Sequence, residues 1–65
     1  MKLLTIQDAS EHLRLSVPTL YRLTSHKKIP FIKIGGKILF DSDRLNNWLI
    51  EHVVEPIREV TPHER

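Results

Sequence analysis

The chain has 65 residues, a net charge of +2 and no cysteine. Such a length holds one small core, which favours a binding module over an enzyme that would need a buried pocket as well. It has no disulfide framework or thiolate zinc site. Its apolar runs are too short to cross a membrane, and Met1-Lys2-Leu3-Leu4 passes straight into Thr, Gln and Asp without a signal-peptide core, so a cytoplasmic protein is expected.

The first element is a helix from about Ile6 to Leu13. Thr5 is a good N-cap, and Asp8 three positions on can return a bond as a weaker capping box. Ile6, Ala9 and Leu13 set an apolar stripe at helical spacing. Leu3 or Leu4 would act as a staple on the first turn, and Ala9 is small where a second helix must come close. Arg14-Leu15 makes a tight link, with Leu15 plugging the core at the elbow.

A second helix spans Ser16 to His26. Ser16 caps it, and Pro18 fits the first turn, where no backbone donor is needed. At about 100° per residue, Val17, Leu20, Leu23 and Thr24 share one side. Pro18, Thr19, Arg22, Ser25 and His26 take the other, with Tyr21 at the border. So short a helix depends on packing to persist. Two short helices joined by a tight turn form a helix-turn-helix, a pair that also occurs in proteins that never touch DNA.

Lys27-Lys28 gives the second helix a basic end, and Pro30 disfavours helical backbone at Ile29. Phe31–Ile34 and Lys37–Phe40 then read as two strands around Gly35-Gly36, a good sequence for a two-residue hairpin. Lys33 and Lys37 flank the turn. A basic hairpin tip beside a basic helix points to a wing that reaches a phosphate backbone or minor groove. Asp41 or Ser42 caps a third helix, with Asp43 in its first turn. Leu45, Trp48, Leu49 and Val53 form its apolar face, Trp48 being the expected core anchor, and the helix fades near Val54 ahead of Pro56. Residues 1–54 form the domain, and residues 55–65 read as a polar C-terminal tail, the alternative being a short partner-binding segment.

Charge is unevenly placed. Arg14, Arg22, Lys27, Lys28, Lys33 and Lys37 lie between His12 and Phe40, a stretch without Asp or Glu. Acidic residues stand only outside it, at Asp8 and Glu11 and then from Asp41 onward. A basic stretch that coincides with the second helix and the hairpin is the footprint of a polyanion-binding face.

Taken together, Leu4-Thr5-Ile6-Gln7-Asp8-Ala9, Leu13, Leu15-Ser16-Val17, Thr19-Leu20-Tyr21-Arg22, Lys28-Ile29-Pro30, Ile34-Gly35-Gly36-Lys37, Phe40 and Leu45 through Leu49 resemble the excisionase-type, MerR-like winged helix-turn-helix family. The resemblance covers about residues 3 to 53. It implies a small α+β fold, a helix-turn-helix with a two-stranded wing and a third helix. It also implies binding to double-stranded DNA, with the second helix in the major groove and the wing at the flanking minor groove. Carried onto this chain, Ser16, Thr19, Tyr21 and Arg22 would be recognition-helix contacts, and Lys33, Gly36 and Lys37 wing contacts. There are two departures. His26-Lys27-Lys28 replaces an acidic-Gly-Lys loop, so the loop before the wing lacks its glycine. Pro18 stands where serine or arginine is common, which removes one phosphate or base contact.

The residue types suit such a role. Arg22 can make two hydrogen bonds to guanine O6 and N7. Thr19 can offer hydroxyl or methyl to a base or phosphate. Tyr21 is better aimed at a phosphate, unless it is a partly buried core residue. Ser16 sits where free amides favour a phosphate, and the wing lysines supply charge and salt dependence. One small module gives weak specificity, so repeated or palindromic sites, bound by several copies or beside an integrase or recombinase, are expected. The role would be that of a recombination directionality factor or a small transcriptional regulator; fold likeness does not separate the two. Catalysis is not expected. His12, His26, His52 and His63 include no i, i+4 pair for a metal, and no cofactor-binding motif stands out. The rival reading is a protein-interaction adaptor that binds a recombinase or polymerase without reading DNA.

Overall fold

The computed structural model describes residues 1–56. The order of elements is β1 (Leu3–Leu4), α1 (Ile6–Leu13), α2 (Val17–Ser25), β2 (Ile32–Ile34), β3 (Lys37–Asp41) and α3 (Ser42–Glu51). Three helices and a three-stranded antiparallel sheet of order β1-β3-β2 make the small α+β architecture expected of a winged helix-turn-helix. The tail expected over residues 55–65 lies, from residue 57 onward, outside the described residues.

Local chemistry explains the helix boundaries. Thr5 accepts from the Asp8 amide at 3.1 Å, and the Asp8 carboxylate accepts from the Thr5 amide at 3.1 Å. That is a complete capping box, satisfying two donors at the start of α1. Ser16 accepts from the Thr19 amide, and Pro18 occupies the first turn of α2, where its missing N–H is harmless. Asp41 caps α3 by accepting from the Asp43 amide at 3.2 Å. Being also the last residue of β3, it joins strand to helix with no loop between them.

The core is Leu4, Ile6, Ala9, Leu20, Ile29, Phe40 and Leu45. Phe40, Leu20 and Leu45 are its largest fully buried side chains, each stabilising by about 1.5–3 kcal/mol through burial. Every strand and helix but β2 supplies a member. Ala9 has no exposed surface, and its methyl is small enough for α2 to pack against α1. Leu13, Leu15, Val17, Leu23, Phe31, Ile38 and Trp48 pack around this centre, so Leu15 does fill the elbow.

Three expectations change. Leu3 and Leu4 form a strand that the sequence reading did not include, pairing with Asp41 and Phe40, while Leu4 is also buried in one cluster with Ala9 of α1; two residues are too few to show a period. Trp48 is not the core anchor. It packs at the edge of the core, and its indole N–H donates to the Lys28 carbonyl at 2.9 Å, because a buried indole needs an acceptor that the apolar centre cannot offer. The third helix stops at Glu51, leaving Val53 and Val54 exposed.

Candidate nucleic-acid interface

The turn between α1 and α2 is built on Ser10. Its carbonyl accepts from the amides of Arg14 and Leu15, and its hydroxyl donates to the Leu15 carbonyl at 2.6 Å. Arg14 takes a left-handed backbone conformation, φ 59° and ψ 39°, to close the helix. The angle between the helices is thus clasped by a serine that α1's apolar stripe does not mark.

Along α2, Leu20 and Thr24 are buried and Arg22 is exposed. Arg22 stands two residues, about 200°, from each of them, and so faces directly away from the core. Among the described residues no acid pairs with its guanidinium. The buried Thr24 hydroxyl is satisfied by donating to the Tyr21 carbonyl at 2.9 Å. Tyr21 is 51% exposed, which removes the buried-core alternative for its ring. The Ser16 and Thr19 hydroxyls share one hydrogen bond at 2.8 Å. Each carries one proton and the shared bond uses only one, so the pair keeps one donor for an outside acceptor.

Helix α2 ends in a Schellman arrangement. The Lys27 amide donates to the Thr24 carbonyl and the Lys28 amide to the Leu23 carbonyl, at 3.0 and 2.9 Å. Lys27 holds φ 54°, so the glycine missing from the sequence is replaced by a lysine in the same left-handed conformation. The Lys28 carbonyl then meets Trp48. His52 packs against that indole with its ring tilted by 47° and 4.3 Å between centroids, and its Nδ1 bonds the Trp48 carbonyl at 2.7 Å. The base of the wing is thereby tied to α3.

In the wing, Ile34 pairs with Lys37 across a two-residue turn, with φ 54° at Gly35 and 80° at Gly36. Two positive φ angles in succession are what a primed hairpin turn requires. Pairing of Lys33 with Ile38, and of Ile34 with Lys37, sets the two lysines on opposite faces of the hairpin. Lys33 shares the face of Ile38, which packs against the core. Both lysines are exposed.

Helix α2 and the wing converge on one groove of about 410 Å³, lined by Thr5, Ile6, Gln7, Tyr21, Gly35, Gly36, Lys37 and Ile38. The structure thus brings Tyr21, Gly36 and Lys37 together there, while Ser16, Thr19, Arg22 and Lys33 are not among its lining residues. Thr5, Ile6, Gln7, Gly35 and Ile38 line it without having been named as contacts from the sequence; Gln7 belongs to α1, and its position in sequence carries no sign of the wing.

A family model described as a helix-turn-helix domain matches residues 3–52. The chain belongs to the helix-turn-helix domain family. Comparison with curated proteins and with solved structures gave no significant match. Membership in the family supports DNA as the partner of this helix-turn-helix domain. No described helix is long and apolar enough to cross a membrane. Among the described residues no group of three or more His, Asp or Glu could hold a metal ion.

Proposed function

We propose that this helix-turn-helix domain binds double-stranded DNA sequence-specifically, without catalysis, placing α2 in the major groove and the wing against the flanking minor groove. The observation that carries the reading is the placement of Arg22 opposite the buried face of α2, free of acidic neighbours among the described residues. A guanidinium so placed can take guanine O6 and N7 together. Tyr21 and the remaining donor of the Ser16–Thr19 pair would hold backbone phosphates on either side. Lys33 and Lys37, on opposite faces of the hairpin, suit a tip with a phosphate strand on each side. Gly36 holds the turn that presents them.

The excisionase-like resemblance favours a recombination directionality factor or a small transcriptional regulator, acting in several copies or beside an integrase. An adjacent integrase gene would point to excision control, and an adjacent divergent promoter to regulation. Base reading is tested by selecting a site from random duplexes and measuring wild type against Arg22→Ala. Arginine reading a guanine predicts a loss of about 1–3 kcal/mol and relaxed preference at one base pair. Unchanged affinity and unchanged preference would overturn the assignment.

A further inference from the structure

We infer that the groove between the start of α1, Tyr21 and the wing turn is a seat for one deoxyribose-phosphate unit of the DNA strand, with Gln7 as its donor from α1. This rests on the DNA-binding reading above and deepens it: it adds Gln7 to the contacts, in a groove where Tyr21 and Lys37 already meet.

The groove has the chemistry of that unit. Ile6 and Ile38 give it an apolar part against which a sugar can lie, while Thr5, Gln7, Tyr21 and Lys37 make the rest polar. No acidic residue lines it, so a phosphate there meets no like charge in contact. Gln7 offers a carboxamide and Tyr21 a phenol, both neutral donors, and both residues are exposed. Gly35 and Gly36 have open space where side chains would begin, with nothing within 4 Å of an added Cβ. A strand can therefore approach the wing backbone closely. Three separate elements meet at this groove, so a strand seated in it fixes the wing relative to α2.

The test combines Gln7→Ala and Tyr21→Phe with a set of duplexes, each carrying one methylphosphonate at a successive backbone position of the selected site. Circular dichroism melts of each variant confirm folding, which exposed positions should leave intact. Each substitution should weaken binding by roughly two- to tenfold, as expected for one lost hydrogen bond, equally for every base sequence. The slope of affinity against salt should not change, because no cation is removed. One methylphosphonate position, beside the base pair read by Arg22, should weaken wild type and have little further effect on either variant. If the effects of methylphosphonate and substitution simply add at every position, the seat is wrong, while a retained loss of base preference in Arg22→Ala would leave the DNA reading standing. If wild type binds no duplex, both fall.

Discussion

Lys27→Gly should stabilise the protein. Lys27 ends α2 with φ 54°, a conformation that costs a residue with a Cβ about 1–2 kcal/mol. Glycine removes that cost, and the two hydrogen bonds that close the helix, from the Lys27 and Lys28 amides, do not involve the side chain. Against the gain stands glycine's greater freedom in the unfolded chain, about 0.4–1 kcal/mol. The net expectation is about 0.5–1 kcal/mol, or an increase in Tm of about 2–8 °C for a domain this small. Urea denaturation of wild type, Lys27→Gly and Lys27→Ala separates backbone from charge, since alanine loses the ammonium and keeps the Cβ. Glycine should exceed alanine by about the same 0.5–1 kcal/mol, because alanine keeps the strained Cβ. Equal stability of the two variants would refute the strain argument and, with it, the account of how this chain manages without a glycine before its wing.

Ser10→Ala should cost about 0.5–1 kcal/mol, the loss of its bond to the Leu15 carbonyl less alanine's better helix propensity; a variant as stable as wild type in urea would remove the clasp. Gly36→Val should lose about 1–3 kcal/mol from backbone strain alone, since φ is 80° and an added Cβ meets no atom within 4 Å, and Gly36→Asn should lose much less in the same thermal melts. Lys33→Ala and Lys37→Ala should each reduce the salt slope of DNA binding by about one and weaken all sequences alike. Standing on opposite faces of the hairpin, the two should add in the double variant when followed by fluorescence anisotropy; a change in sequence preference alone would contradict a wing role.

Where a residue's chemistry acts on its near neighbours, the sequence was enough. Thr5 and Asp8, Ser16 with Pro18, and Gly35-Gly36 each satisfy or shape backbone within a few positions, so the first two helices and the hairpin were legible before any contact was known. The buried stripe of α2 followed from helical spacing, and with it the outward direction of Arg22. Trp48 shows where that reasoning fails. Its size argued for the centre of the core, yet its N–H needed an acceptor, and the Lys28 carbonyl that supplies one is twenty residues away. Phe40, with no polar atom to satisfy, is buried instead. The strand at Leu3–Leu4 was equally out of reach, since it exists only through its pairing with β3.

The sequence by itself determined which residues cap, turn and alternate, because those are interactions across three or four positions with strong local geometry. Only the tertiary structure decided that Gln7 lines one groove with the wing turn, that the wing base is tied to Trp48, and that β1 adds an edge strand to the sheet. Each of these joins segments far apart in the chain, and their partners are selected by how one small core is filled.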